Sequence, residues 1–417
     1  MLRKALIAGT AGFLGLTAVA QEVSLPGFGL PGIELPGVEQ VAAPVTVWPE
    51  ASWPVAEMDP ETEETVDALI ARAMASELND QMGETRSIVV IHKGHLVAEA
   101  YRDGFGPATK QVSWSMAKSI THALVGRAIA LGLVEDIDAP MPSPWPADDP
   151  RAAITWRHWL TMTDGLAYNE IGEEDLTKND VVQMIYGRGR LDVIDYVSGL
   201  EAAHTPGTVW NYSTAGFHTI ARGLQTELGL GACSASANLR NAASVSPVTP
   251  CAPESDTDMA LWIDDVLFAP LGMEAQPEFD SAGTFLGGSL VYASAQDFAR
   301  FGYLYLQDGI WNGERLLPEG WVSFARSETP AANANVYGAG WWITPPEGVE
   351  RSHSQAAITG PYDAFHAGGN EGQTIWVVPS KDLVIVRLGL MPNSRENWRS
   401  LYEWNQEVAR AFPTAEK

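Results

Sequence analysis

The chain contains 417 residues, and 46% of them are hydrophobic, which is enough apolar material for a large core in one domain or two interleaved domains. Acidic residues outnumber basic ones by 52 to 26, so the formal net charge is −26. This excess disfavours nucleic acids and anionic lipid surfaces as partners.

Residues 1–20 have the form of an export signal. Arg3 and Lys4 precede an uncharged apolar stretch, and residues 18–20, Ala-Val-Ala, have the small-x-small pattern of a cleavage site. Because the stretch is too short for a membrane span, cleavage before Gln21 is favoured over an uncleaved anchor. No later segment contains the roughly 18 apolar residues of a span. We therefore expect a periplasmic or secreted protein with no stable membrane anchor.

Residues 21–57 form a Pro- and Gly-rich segment that we expect to be extended. The tripeptide Leu-Pro-Gly begins at residues 25, 30 and 35. Proline lacks the N–H group that regular helices and strands need for hydrogen bonding, and glycine makes the chain more flexible. The folded unit is predicted to begin near residue 58, because apolar residues recur at helical spacing from Pro60 to Leu78 after an acidic first turn.

A β-hairpin is predicted to follow this first helix. Residues 87–91 and 96–101 are rich in strand-forming side chains, and the step at residues 93–94, Lys-Gly, is typical of a turn between them. The sheet therefore starts before the helical part of the chain.

A buried helix is predicted from Ser115 to Leu131. Its apolar residues lie on one face, and it ends at Gly132, where a left-handed cap suits glycine. From residue 136 to residue 273 the patterns are helical or irregular, with helices indicated at 156–162 and 213–228 and few strand signals. This central block is therefore predicted to be mostly helical.

The C-terminal part of the chain returns to strands. Residues 373–378 and 383–388 are β-rich runs joined by a short turn, and a helical pattern follows at 398–412. We therefore predict a sheet assembled from both ends of the chain, with the helical block inserted between them.

Ser115 and Lys118 are the first candidate catalytic residues. Residues three apart on a helix lie side by side, and a lysine amine within hydrogen-bond range can accept the proton of a serine nucleophile. Tyr212 lies in a turn before a helix, from which its ring can reach a cleft, and a nearby ammonium would stabilise its phenolate. Either Lys118 or Tyr212 can be the general base with the other as relay, and the sequence does not choose between them.

A glycine-rich segment at residues 365–373 precedes a predicted strand and suits close approach of backbone to a ligand. Acyl transfer needs two N–H donors for the oxyanion, and the backbone N–H groups of Ser115 and Gly369 are the candidates. The register is open by one residue, so Asn370 is the alternative to Gly369. Three residues of this segment are the candidate substrate contacts, namely His366, Gly368 and Asn370.

The chain has two cysteines, Cys233 and Cys251, in a segment rich in Ala, Ser and Asn. In an oxidising compartment they are expected to pair, and closing this short loop would stabilise the fold by about 3 kcal/mol. From its position we expect the segment 229–258 to overhang the cleft and limit substrate size.

No metal or cofactor is expected. The eight histidines are scattered, and the His-Glu-x-x-His pattern, the Gly-x-Ser-x-Gly elbow and the phosphate-binding loop are absent from the sequence. Glu170 lies on a loop within reach of the cleft, but exposed acids are so abundant that the sequence alone assigns it no role.

Three motifs in this order resemble those of the serine β-lactamase and penicillin-binding-protein superfamily. They are Ser-x-x-Lys at 115–118, Tyr-Ser-Thr at 212–214 and His-Ala-Gly at 366–368, and the resemblance extends over roughly residues 60–412. It implies an α+β fold with an antiparallel sheet flanked by helices and an all-helical lobe beside it. The predicted division is 1–20 signal, 21–57 extended segment and 58–417 hydrolase domain, with a sheet lobe at 58–110 and 286–417 and a helical lobe at 111–285.

Two departures from the lactamase pattern direct the functional prediction. Thr214 replaces the asparagine of the second motif, and His366 replaces the usual lysine of the third. The chain is instead similar to aminohexanoate-dimer hydrolases and lactamase-fold carboxylesterases, particularly around 372–379. We expect an exported hydrolase that cleaves a small-molecule ester or amide through an acyl-enzyme on Ser115. The alternatives are a β-lactamase or D-Ala-D-Ala carboxypeptidase, and a non-catalytic cell-wall binding protein on the same scaffold.

Overall fold

A computed structural model describes most of the chain after the N-terminal region. The predicted signal, most of the extended segment, both cysteines and nearly all of the segment 229–258 lie outside the described residues, so these predictions stay predictions. The described residues are 47–173, 175–230, 258–332, 337–344 and 360–415.

The main sheet has six antiparallel strands in the order β2-β1-β11-β10-β9-β8. A three-stranded sheet, β3-β5-β4, and a two-stranded hairpin of β6 and β7 accompany it. The strands are β1 (Glu84–His92), β2 (His95–Tyr101), β3 (Gln111–Val112), β4 (Gln276–Pro277), β5 (Val291–Ala293), β6 (Ile310–Trp311), β7 (Glu314–Arg315), β8 (Trp342–Ile343), β9 (Phe365–Gly369), β10 (Gln373–Val378) and β11 (Leu383–Leu390).

The centre of the main sheet joins the two ends of the chain. β1 pairs with β11, with Ile88 opposite Arg387, while the hairpins β1–β2 and β10–β11 flank this pair. The α+β fold with an antiparallel sheet built from both chain ends is therefore confirmed. The strands β10 and β11 are buried on both faces and therefore read as nearly continuous apolar runs, whereas β2 at the edge of the sheet is only partly buried.

The two faces of the sheet belong to different hydrophobic clusters. Val89 and Ile91 of β1 face the larger cluster, whereas Ile88 and Val90 face the smaller one, as the two-residue period of a strand requires. The helices of the described chain are α1 (Pro60–Met74), α2 (Ala117–Ala130), α3 (Trp156–Leu160), α4 (Asp180–Ile185), α5 (Val193–Ser198), α6 (Thr214–Glu227), α7 (Asp258–Ile263), α8 (Ala269–Leu271), α9 (Ala295–Leu306), α10 (Trp321–Arg326) and α11 (Arg395–Ala411).

Helices cover both faces of the sheet. α9 packs on β10 and β11 in the larger cluster, while α1 and α11 pack together over the smaller one. Residues between β3 and β4 form the helical block, in which α2, α3 and α5 each pack on α6. β3 and β4 themselves are two-residue strands, too short for an alternating pattern to reveal. Among the described residues, no helix is both long and apolar enough to cross a membrane.

Candidate active site

Ser115 lies in a short 3-10 turn, Trp114–Met116, directly before α2. The prediction of a helix that carries this serine is correct in position, although its first turn is tighter than an α-helix. Ser113 fixes the turn to β5, because its N–H donates to the carbonyl of Val291 at 2.8 Å and its Oγ accepts from the N–H of Val291 at 2.9 Å. The half-buried side chain of Ser115 therefore projects from a turn that is held against the three-stranded sheet.

Lys118 occupies the centre of the site and is only 1% exposed. Its Nζ donates to Ser115 Oγ at 2.8 Å, to Thr214 Oγ1 at 2.8 Å and to the carbonyl of Gly288 at 2.7 Å. Burial lowers the pKa of Lys118 to about 8, and the carboxylate of Glu170 acts in the opposite direction. A substantial fraction of this amine is therefore neutral at mildly alkaline pH.

Thr214 connects Lys118 to Glu170. The carboxylate of Glu170 accepts from the N–H of Thr214 at 3.0 Å and from its hydroxyl at 2.9 Å. Since a hydroxyl has one proton, a Thr214 hydroxyl that donates to Glu170 must accept from Lys118. We term Ser115, Lys118, Thr214 and Glu170 the lysine cluster.

The lysine cluster determines where the lone pair of a neutral Lys118 points. The carbonyl of Gly288 can only accept, and Thr214 accepts when its proton is directed to Glu170. These two acceptors use both N–H groups of a neutral amine. The remaining lone pair is left facing Ser115 Oγ, which is the geometry of a base that removes the serine proton.

Tyr212 is the second candidate proton carrier, and it is buried. Lys118 Nζ lies 4.9 Å from the centroid of its ring, which stacks on Trp342 with the centroids 5.4 Å apart. Burial raises the pKa of Tyr212 well above its ordinary value, the charge of Glu170 raises it further, and a hydrogen bond with Ser115 lowers it. The phenol is therefore protonated in the resting site, beside both Ser115 and Lys118.

Gly369 ends β9 beside the turn that carries Ser115. A Cβ at Gly369 would lie 2.2 Å from the carbonyl oxygen of Ser113, so only glycine fits this approach. The N–H of Ser115 lies in the first turn of a helix, where N–H groups have no acceptor within the helix. The side chain of the alternative residue, Asn370, accepts from Asn393 Nδ2 at 3.1 Å. The assignment of the oxyanion donors stays a prediction, and this close approach places Gly369 next to the turn that carries Ser115.

His366 lies in an aromatic stack and is 3% exposed. Its ring is stacked on Trp376 at 4.9 Å and on Trp342 at 6.4 Å between centroids, and its Nε2 is 3.3 Å from the hydroxyl of Tyr402. Burial lowers the pKa of His366 to about 3, so the ring is neutral. We term Trp342, His366, Trp376 and Tyr402 the aromatic stack. These contacts explain His366 as a packing residue, and its predicted contact with substrate stays a prediction.

The site also contains groups that the sequence did not single out. The carbonyl of Gly288 contacts Lys118 across 170 positions of sequence, and no sequence pattern marks it. Trp342, in β8, packs on Tyr212 and also against Gly368, where a Cβ would lie 3.2 Å from the indole. Within the residues that the structure describes, no three His, Cys, Asp or Glu side chains lie together as metal ligands.

The geometry agrees with the comparison to known families. The β-lactamase family model matches residues 66–397. The chain belongs to this family. The turn that carries Ser115 contacts β9 and β10 of the main sheet and leads into α2 of the helical block.

Proteins that are similar to this chain include hydrolases. The chain is 24% identical over 356 residues to the 6-aminohexanoate-dimer hydrolase of Paenarthrobacter ureafaciens, covering 81% of this chain and 80% of that protein. A Bacillus anthracis protein provisionally described as a 6-aminohexanoate-dimer hydrolase has a similar fold, with a TM-score of 0.61, 18% identity and coverage of 89% and 90%. EstCE1, a hydrolase with promiscuous acyltransferase activity, gives a TM-score of 0.55 at 14% identity, covering 85% of this chain and 98% of EstCE1.

Proposed function

We propose that this protein is an exported acyl-serine hydrolase that cleaves small esters or amides. The observation that carries the proposal is the contact of Lys118 Nζ with Ser115 Oγ at 2.8 Å, with Thr214 and Gly288 holding the other two positions around the nitrogen. This arrangement supplies a nucleophile and a base in one buried cluster. The hydrolase names of the relatives support the same reaction class.

In the acylation step, neutral Lys118 removes the proton of Ser115 as Oγ bonds to the substrate carbonyl carbon. The carbonyl oxygen becomes an oxyanion facing the N–H groups of Ser115 and Gly369. The bond to the leaving alcohol or amine then breaks, and that group takes a proton from the phenol of Tyr212, which Lys118 reprotonates. Water then replaces the leaving group, and the same steps run in reverse. Water attacks the acyl carbon and gives a proton to Tyr212, Tyr212 passes one to Lys118, and Lys118 returns a proton to Ser115 Oγ as the acid is released.

We favour esters and linear amides over β-lactams because of two side chains. The hydroxyl of Thr214 is engaged by Lys118 and Glu170, whereas the asparagine that it replaces orients the acylamide of a lactam. His366 is neutral and buried, so it offers no positive charge to a substrate carboxylate. β-Lactamase activity is the alternative outcome that the test distinguishes.

An activity panel tests the proposed reaction. Wild type and Ser115→Ala are assayed with p-nitrophenyl acetate and butyrate, the linear 6-aminohexanoate dimer and a chromogenic cephalosporin. We expect wild type to hydrolyse an ester or the amide dimer, with kcat/KM at least tenfold above that for the cephalosporin, and Ser115→Ala to be inactive. Preferential cephalosporin turnover would favour the lactamase alternative, and equal rates in both proteins would refute the mechanism.

Export is tested separately from catalysis. The full-length chain is produced in a Gram-negative host, and the protein in the periplasmic fraction is sequenced from its N-terminus. We expect the mature chain to begin at Gln21. Recovery of the intact chain in the cytoplasm or in the membrane fraction would contradict the proposal.

A further inference from the structure

We infer that Glu371 is a positioning residue for the oxyanion hole and acts through Trp114. The inference rests on the proposed function and deepens it. Glu371 lies two residues after Gly369, and Trp114 directly precedes Ser115. The indole Nε1 of Trp114 donates to Glu371 Oε2 at 3.0 Å, so one hydrogen bond joins the two chain segments that supply the oxyanion donors.

Both partners of this bond have an unusual backbone conformation. Trp114 has a φ of 47° and Glu371 a φ of 61°, in the left-handed region that non-glycine residues rarely adopt. Such conformations persist only where surrounding contacts hold them, and they concentrate at functional sites. Here the strained pair is adjacent to the nucleophile on one side and to the end of β9 on the other.

The sheet fixes the position of Glu371. Arg387 of β11 is fully buried, and its Nη1 donates to the carbonyls of Glu371 at 3.2 Å and Gly372 at 3.0 Å. Its Nε donates to Thr85 Oγ1 of the adjacent strand β1 at 3.2 Å, and its Nη2 donates to the carbonyl of Met82, just before that strand, at 2.7 Å. The turn after β9 is therefore rigidly tied to the centre of the sheet, and the Glu371 carboxylate extends from it to Trp114.

This hydrogen bond links the two chain segments whose N–H groups are proposed to bind the same oxyanion. The N–H groups of Ser115 and Gly369 belong to segments more than 250 positions apart, so their spacing depends on contacts between the segments. Without the carboxylate, Trp114 can relax from its left-handed conformation, and the peptide N–H of Ser115 would turn with it. Because the oxyanion exists only in the transition state and the intermediates, the loss should appear in kcat rather than in KM.

The role is geometric, and the negative charge of Glu371 is not required for it. A carboxylate near a developing oxyanion repels it, whereas a neutral amide oxygen accepts the same indole hydrogen bond without that repulsion. Glu371→Gln is therefore expected to keep the activity that Glu371→Ala loses. This contrast separates a hydrogen-bond acceptor from a charged group.

The test measures kcat and KM with the best ester of the panel for four variants, namely Glu371→Ala, Glu371→Gln, Trp114→Phe and the double variant Glu371→Ala/Trp114→Phe. We expect kcat to fall about tenfold in each of the two disruptive single variants, a smaller loss than that of a deleted oxyanion donor, with KM within about twofold of wild type. The double variant should be no slower than the slower single variant, because both remove the same bond. Glu371→Gln should stay within about threefold of wild type.

Glu99→Ala is the matched control. Glu99 likewise accepts a hydrogen bond from an aromatic side chain, Tyr101, at 2.5 Å on the exposed surface of β2. It should leave kcat and KM unchanged, and circular dichroism should show that every assayed variant is folded. If Glu371→Ala does not fold, Trp114→Phe and Glu371→Gln provide the same comparison.

Two kinds of result would overturn the inference. With an active wild type, the role of Glu371 would be refuted, and the proposed function left standing, by any of four results. These are additive losses in the double variant, a loss in Glu371→Gln equal to that in Glu371→Ala, a change confined to KM, and an unchanged kcat in Glu371→Ala. Absence of any ester or amide hydrolysis by wild type would instead refute the proposed function, and the inference with it.

Discussion

The lysine cluster and the aromatic stack are two buried regions that meet at Tyr212 and Trp342, and they use buried ionisable groups differently. Lys118 is surrounded by three oxygen acceptors, one of which is Ser115 Oγ, the proposed nucleophile. His366 is surrounded by rings and is near one hydroxyl. In this fold, the burial of an ionisable side chain does not by itself show that the side chain takes part in the reaction. The number and kind of partners around the buried nitrogen distinguish a reacting group from a packing group.

The largest expected effect is the loss of Lys118. Lys118→Arg keeps a positive charge and N–H donors but cannot provide a neutral lone pair, because arginine stays protonated. We expect kcat/KM to fall by about 10³-fold or more in both Lys118→Arg and Lys118→Ala. Steady-state kinetics on folded protein measures this, and substantial activity in Lys118→Arg would show that the lysine acts only through its charge.

A smaller loss is expected for Tyr212, the proposed proton donor to the leaving group. Tyr212→Phe preserves the stacking on Trp342 and removes only the hydroxyl. We expect kcat to fall by about 10²-fold for a substrate with a poor leaving group. The loss should shrink for p-nitrophenyl esters, whose leaving group needs no proton. An equal loss for both substrates would contradict proton donation by this residue.

The pH dependence of wild type should follow Lys118. Since only the neutral amine can accept a proton, kcat/KM should rise with pH and level off above about pH 8, the pKa to which burial lowers this lysine. The charge of Glu170 raises the pKa of Lys118, so Glu170→Gln should move the rise of kcat/KM to lower pH. A pH profile of both proteins measures the shift, and movement to higher pH would contradict the assigned electrostatics.

The smallest effect on catalysis is expected in the aromatic stack. His366→Phe keeps a flat ring between Trp342 and Trp376 and loses the contact with the hydroxyl of Tyr402. We expect kcat and KM within about twofold of wild type and a loss of about 1 kcal/mol in the free energy of unfolding. Denaturant titration and kinetics measure both. A tenfold rise in KM would support the prediction that His366 contacts the substrate.

Much of the fold could be predicted because its longest elements carry strong periodic patterns. The hairpins β1–β2 and β10–β11, and the helices α1, α2, α6 and α11, all lie where the sequence patterns indicate them. The small strands β3 and β4 could not be predicted, because two residues show no period. The left-handed conformation of Trp114 could not be predicted either, since that indole is held by the distant Glu371.

The site could be predicted only where its residues are close in sequence or belong to a motif. Ser115 and Lys118 are three apart, so their contact follows from the period of a helix. The roles of Thr214 and Glu170 depend on a loop folding back on α6 over 44 positions, which no local pattern specifies. Tyr212 was predicted on a loop facing a cleft, and the structure adds that aromatic rings bury it.

Intact-protein mass spectrometry after incubation with a fluorophosphonate tests the central claim most directly, because this reagent reports an activated serine whatever the natural substrate is. The account predicts a single adduct, mapped by peptide sequencing to Ser115, absent in Ser115→Ala and formed at least a hundredfold more slowly in Lys118→Ala. No adduct on wild type, or an adduct on another residue, would contradict the assignment of Ser115 as the nucleophile activated by Lys118.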